Sequence, residues 1–297
     1  MNFKDEQEKK TKEIEQIIRS YLPEETGLQK TVLAAMNYSI LAGGKRLRPM
    51  LMKEAYEMLG GQGREIEPFL AAIEMVHTYS LVHDDLPAMD NDEYRRGRKT
   101  THMVYGEAMA ILAGDGLLNL AFETAAKAFS LGGDAALIGQ ALALFARKSG
   151  VYGMIGGQTA DIEAEDMGEL VTEETLLFIH AHKTAALIQS ALMTGAILAG
   201  ASGADVEKME KIGYDIGVAF QIQDDILDVT GDERTLGKSV GSDEKNKKVT
   251  YVTRKGLEQA QADQEALSEE AVALLRSFDR RNPFLEDMVE ALVTRKK

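Results

Sequence analysis

The chain has 297 residues, 44% of them hydrophobic and 6% aromatic, and its 34 Lys and Arg against 48 Asp and Glu leave a formal charge of −14. No cysteine occurs, which excludes disulfides and thiolate metal sites and is compatible with a reducing compartment. Such acidity argues against a nucleic-acid partner, which needs a basic face, so any phosphate must be bound locally, by a metal and a few placed cations.

Met1 to Arg19 is charged and amphipathic, the pattern of a half-solvated helix and not of a signal peptide. In Gly43-Gly44-Lys45-Arg46-Leu47-Arg48-Pro49 the Gly pair lets the backbone approach an anion. Lys45 and Arg48, three apart, are expected to point the same way on the next helix. An apolar run from Ile73 to His83 leads into Asp84-Asp85-Leu86-Pro87-Ala88-Met89-Asp90, where Pro87 interrupts the helix and Asp90 is expected to fold back from a loop. Arg95-Arg96-Gly97-Arg98-Lys99 follows closely, and guanidinium forks grip diphosphate oxygens two at a time.

Ala108 to Phe129, Thr175 to Leu198 and Val206 to Val229 carry apolar residues at helical period. Gly150 to Gly157 lacks the Lys and the preceding strand of a phosphate loop, so its glycines read as close helix contacts. His83 reads as a packing or hydrogen-bonding group, and His180 and His182, two apart, cannot share a helix face as metal ligands. In Asp224-Asp225-Ile226-Leu227-Asp228, Asp224 and Asp228 share one helix face with Asp225 about 100° round. Gly237-Lys238 and Lys247-Lys248 trail this patch, so acid followed by base occurs twice. Glu258 to Glu270 reads as a solvated helix face.

With Pro23, Pro49 and Pro87 at helix boundaries and no Pro/Ser-rich linker, residues 1–297 are expected to form a single all-α domain, one large helical bundle. Charges interrupt every apolar stretch before the ~18 residues of a membrane span, so a soluble, cytoplasmic protein without membrane insertion is expected. Carboxylates clustered at the ends of apolar helices are costly unless a cation binds them. Hard oxygen ligands of this kind suit Mg²⁺, which completes its coordination with water and substrate phosphates. A phosphate-ester substrate follows.

From Gly43 to about Tyr251 the chain resembles the trans (E)-polyprenyl diphosphate synthases, and within them the bacterial farnesyl diphosphate synthases. Five motifs carry the likeness: Gly44 to Pro49, the first aspartate patch with Arg95-Arg96-Gly97, Gly156-Gly157-Gln158 with Asp161, Lys183-Thr184, and Phe220-Gln221 running into the second patch. The resemblance implies an isoprenoid-synthase bundle around a central apolar cavity, working as a homodimer. It implies a cluster of three Mg²⁺ ions per active site with substrate bound, held by Asp84, Asp85 and Asp90 with Asp224, while Asp225 and Asp228 complete the second acidic wall. Arg95, Lys183 and Lys238 would bind the leaving diphosphate of an allylic substrate. Lys45, Arg48, His77 and Arg96 would bind isopentenyl diphosphate, and the oxygens of Thr184 and Gln221 would face the allylic cation. Lys248 matches a further basic position, although Lys247 stands where relatives carry glycine. Gly97-Arg98-Lys99-Thr100 lacks a proline common in relatives, which implies a changed loop.

By the same resemblance, isopentenyl diphosphate condenses with dimethylallyl and geranyl diphosphates, by ionisation, condensation and elimination, to give farnesyl diphosphate. Tyr79, five residues before Asp84 with Ser80 beside it, would floor the cavity and set product length, together with the inserted Pro87-Ala88. A geranylgeranyl diphosphate synthase and a non-catalytic prenyl synthase subunit are the alternatives. A class I terpene cyclase would carry a different second metal motif, and a non-catalytic subunit would be expected to lose one acidic patch.

Overall fold

The computed structural model describes residues 2–230 and 249–293, which are helical almost throughout. The first helix, α1 (Phe3–Ser20), is capped by the Asn2 side chain, which accepts from the Asp5 N–H at 2.9 Å, and buries a stripe of Ile14 and Ile18. Helices α2 (Lys30–Ile40) and α3 (Leu47–Met58) lead to α4 (Ile66–Asp84), which is buried on nearly every face from Ile66 to Val82. The only strands among the described residues form a tight hairpin, β1 (Tyr94–Arg95) against β2 (Arg98–Lys99). Helices α5 (Thr101–Tyr105), α6 (Glu107–Ala126), α7 (Ala135–Ser149), α8 (Met154–Met167) and α9 (Glu173–Ile179) follow. A π-helical turn, His180–Ala185, joins α9 to α10 (Ala186–Leu198), and α11 (Gly203–Thr230) is next. Beyond residue 249 come α12 (Tyr251–Lys255), α13 (Leu257–Arg276) and α14 (Pro283–Val293).

An amphipathic helix needs one covered face, whereas a helix apolar all round must be enclosed. Accordingly α4 and α10 form the centre. The first packs on α3 and α6, the second on α3, α7 and α11. Phe145 of α7 anchors the core between Phe69 of α4 and Phe122 of α6, in edge-on contacts of 6.2 and 5.6 Å. A second apolar cluster joins Val218, Ile222 and Ile226 of α11 to Tyr251, Val252 and Ala260.

The charged segments at the two ends carry the solvated faces expected of them, Glu258, Glu265, Glu269 and Glu270 being exposed, while their opposite sides pack inward. Lys10 of α1 reaches the buried Glu54 at 2.6 Å, and α13 lays Ala260, Ser268, Ala271, Val272 and Leu275 against α11. No helix among the described residues is long and apolar enough to cross a membrane.

Candidate active site

The first acidic wall forms where α4 ends. Pro87 has no N–H to continue the helix, and the chain turns so that the Asp90 N–H donates to the Asp84 carbonyl at 2.8 Å, returning the third carboxylate to the first as expected. The Asp84 Oδ1 accepts from Gln158 Nε2 of α8 at 3.1 Å. The Asp85 Oδ1 accepts from Arg95 Nε at 2.6 Å. The hairpin that carries Arg95 turns through Arg96 (φ 53°) and Gly97 (φ 74°) and is pinned by the Tyr38 hydroxyl, which donates to the Lys99 carbonyl at 2.7 Å. Burial, with the charges of Asp90 and Asp85, pushes the Asp84 carboxyl up to about 6 against the opposing pull of Lys183 and Arg95. Burial likewise raises Asp85, although Arg95 works against it. Burial thus disfavours the charged form of both carboxyls, and the cations beside them do not fully offset that cost.

The second wall is the last two turns of α11. Asp224, Asp225 and Gln221 line a recess of about 150 Å³ together with Asp161 and Glu165 of α8 and with His180 and Lys183 of the π-turn. Asp225 is buried and accepts from the Tyr251 N–H at 2.9 Å, with His180 Nε2 3.9 Å away. Asp228, one turn on, is buried outside the lining of that recess. Lys183 Nζ is held 2.5 Å from Asp161 Oδ2, and the Thr184 hydroxyl donates to Gln221 Oε1 at 3.0 Å. A Cβ on Gly157 would lie 2.1 Å from the Lys183 nitrogen, so glycine lets α8 touch the π-turn backbone. The glycine segment thus includes the close helix contact expected of it. Lys238, Lys247 and Lys248 lie outside the described residues.

A larger cavity of about 510 Å³ adjoins this recess and shares Lys183 with it. Asp84, Gln158 and Thr184 stand at its polar side with Arg48 and His77, and Tyr79, Leu118, Met154 and Ile155 supply apolar wall. Tyr79 is buried, and burial together with Asp84 pushes its hydroxyl up to about 12. Ser80 also lines the cavity while its hydroxyl donates to the His77 carbonyl at 2.9 Å.

The basic cluster differs from expectation in one respect. Helix α3 begins at Leu47, so Lys45 lies in the exposed loop before it and does not share a helix face with Arg48. Arg46 takes the left-handed conformation (φ 49°, ψ 39°) between them, which turns the chain and separates the two cations. Arg46 points inward, its Nη1 2.7 Å from Glu74 Oε1 and its Nη2 donating to the Ile40 carbonyl at 2.8 Å. Arg96 donates to the Gly43 carbonyl and lies against Gly44, where a Cβ would stand 2.6 Å from its Nη1. Burial lowers Arg48 to about 10, which leaves it charged at neutral pH. Burial, then Arg48 and Arg96, holds His77 well below the ordinary imidazole range, so it is neutral.

Arg46, Glu74, Gln158 and Asp161 are the residues whose roles sequence reasoning missed. The available signal was a lone Glu in the apolar run Phe69 to Val76, which needs a buried partner. Among the described residues no three carboxylates or imidazoles stand close enough to hold an ion by themselves. The oxygen-only carboxyls gathered at the end of α4, half-buried at Asp84 and buried at Asp85, nevertheless suit a hard divalent cation that takes one or two carboxylates and completes its shell with water and phosphate oxygens.

The model of the polyprenyl synthetase family matches residues 29–283. The chain is 41% identical over 286 residues to the farnesyl diphosphate synthase of Micrococcus luteus, covering 95% of this chain and 94% of that one. It is 44% identical over 262 residues to the geranylgeranyl diphosphate synthase of Cyanophora paradoxa, covering 88% and 86%. A solved structure of the geranyltransferase from Helicobacter pylori, complexed with magnesium and isoprenyl diphosphate, aligns with a TM-score of 0.83 at 31% identity over 99% of this chain and 97% of that one. With two acidic walls and a basic cluster around an apolar cavity, and with these likenesses along nearly its whole length, the chain belongs to the polyprenyl synthetase family.

Proposed function

We propose that this prenyltransferase condenses isopentenyl diphosphate with dimethylallyl and geranyl diphosphates and stops at farnesyl diphosphate. The observation that carries the product length is the Tyr79 ring, buried in the wall of the 510 Å³ cavity on the helix that ends in Asp84. A chain growing from a diphosphate bound near Asp84 runs down α4 at 1.5 Å per residue and meets that ring after little more than one turn. A geranylgeranyl product is the second reading, favoured by relatives that bear that name. Chromatography of the dephosphorylated alcohols decides between them. Wild-type protein is expected to give farnesol, and Tyr79→Ala longer alcohols; geranylgeraniol from the wild type would establish the second reading.

Asp84, Asp85 and Asp90, with Asp224, are the residues that would hold Mg²⁺. When bound, the metal supplies charge that stabilises the departing diphosphate more than the ground-state ester. Arg95 and Lys183 would donate to that same diphosphate as the allylic C–O bond breaks and the electron pair leaves on oxygen. Asp85 and Asp161 hold these two donors in place, so they need little reorganisation when the charge develops. Thr184 donates to Gln221, and the oxygens of this pair would face the allylic cation. Arg48, Arg96, the exposed Lys45 and neutral His77 would orient the isopentenyl diphosphate, whose double bond forms the new C–C bond. The proton then lost passes to the released diphosphate. The apolar wall excludes water that would quench the cation.

Both aspartate patches keep all their carboxylates in the sequence, which supports a catalytic chain over a non-catalytic subunit. Met103 and Val104 of α5 and Ile111 and Leu112 of α6 are exposed. Large apolar groups gathered in this way support self-association as a homodimer, which sedimentation velocity tests.

A further inference from the structure

His83 lies one helical turn beyond Tyr79, on the same face of α4. The two rings meet edge to face, with centroids 5.8 Å apart and planes at 81°, an arrangement the ring quadrupoles favour. On its far side the imidazole is docked on α6. Its Nε2 stands 3.1 Å from the Ile111 carbonyl oxygen, which can only accept, so His83 donates. The ring also occupies the place of a side chain on Gly114, where a Cβ would lie 2.1 Å from Nε2. Gly114 thus leaves a hollow in α6, and His83 fills it. The carboxylate of Asp115 flanks the same nitrogen at 3.8 Å.

Resting on the reading of Tyr79 as the floor, we infer that His83 is a second determinant of product length, a positioning residue that braces the Tyr79 ring. Tyr79 has only a few staggered rotamers on a helix. With the imidazole in place, tipping toward α6 is blocked. Without it, the hollow over Gly114 accepts the phenol ring, the floor opens, and the chain can extend past fifteen carbons.

The test is a double-mutant cycle read as product length, a ratio internal to those molecules that react and so independent of any loss of turnover beside Asp84. His83→Ala is expected to raise the ratio of longer products to farnesyl diphosphate by about twofold to tenfold, the size of one lost edge-to-face contact. His83→Gln, which keeps a donor for Ile111 but no ring, should do the same and serves if the alanine variant folds poorly. His83→Phe, which keeps the ring, should restore the wild-type ratio. Because the effect runs through Tyr79, the double variant Tyr79→Ala/His83→Ala should match Tyr79→Ala alone. Unchanged products in His83→Ala and His83→Gln, with Tyr79→Ala lengthening them, would overturn the brace and leave the floor standing. So would a double variant longer than Tyr79→Ala, since His83 would then be a wall in its own right. Unchanged products in Tyr79→Ala would overturn the floor, and the brace with it.

Discussion

Arg46 and Glu74 form an ion pair in the interior, Nη1 to Oε1 2.7 Å, with side chains only 2% and 3% exposed. Through it the loop that opens α3 is fastened to the middle of α4 and, by the Ile40 carbonyl, to the end of α2. Removing Arg46 leaves Glu74 buried and uncompensated, and removing Glu74 leaves Arg46 with only the partly exposed Glu15 at 3.6 Å, so Glu74→Leu or Arg46→Met is expected to cost about 3–5 kcal/mol of stability. The paired replacement Arg46→Met/Glu74→Leu should cost less than either alone. Urea unfolding of the four proteins measures this, and additive losses would show that the pair is not coupled.

Loss of either acidic wall should stop turnover without unfolding the chain. A metal ligand contributes several kcal/mol to the transition state, so Asp85→Asn and Asp224→Asn are each expected to lower kcat at least about a hundredfold. Excess chelator should abolish wild-type activity, and added Mg²⁺ should restore it. Steady-state rates with far-UV circular dichroism as the folding control check this, and near-wild-type rates in either variant would remove that wall from the mechanism.

The two diphosphate sites should separate kinetically. Arg48 lines the cavity beside His77, whereas Arg95 is bound to Asp85 of the first acidic wall. Charge-assisted hydrogen bonds are worth about 1.5–3 kcal/mol. Arg48→Ala is therefore expected to raise KM for isopentenyl diphosphate by about tenfold or more, and Arg95→Ala to act mainly on the allylic substrate. Initial rates with each substrate varied in turn decide it, and equal effects on both would cancel the assignment.

A pH dependence is built into α11 away from the site. Asp215 is fully buried with its Oδ1 2.5 Å from Lys211 Nζ, yet burial outweighs that partner and raises its pKa to about 6 from an ordinary 3.8. The folded state therefore binds this proton more tightly than the unfolded chain does. The resulting stability is complete below about pH 4 and is lost as pH rises through 6. Asn mimics the protonated form, so the Tm of Asp215→Asn relative to wild type should climb by a few degrees between pH 4 and 7. Calorimetry at both pH values tests this, and a difference independent of pH would contradict it.

Local periodicity made much of this protein readable in advance. The apolar runs became α4, α6, α10 and α11 because a helix needs only its own hydrogen bonds and one covered face. Pro87 ended α4 where it had to, and Asp90 folded back as its loop required. His83 proved to be a packing and hydrogen-bonding group. Where local reasoning was carried one residue too far it failed. Lys45 and Arg48 were expected on one face, but the left-handed turn at Arg46 sets the start of α3, and that turn is tied to the Glu74 contact across the fold.

The amino-acid sequence by itself determined the helical class, the two acidic helix ends and the inventory of cations, since these depend on residues a few positions apart. Tertiary structure alone decided which of them meet. Asp84 with Gln158, Asp161 with Lys183, Thr184 with Gln221 and Arg46 with Glu74 are separated by 74, 22, 37 and 28 residues. Such pairs exist because burial of the apolar stripes fixes how the helices cross, and polar groups carried to the interior must then find whatever partner the packing brings within reach.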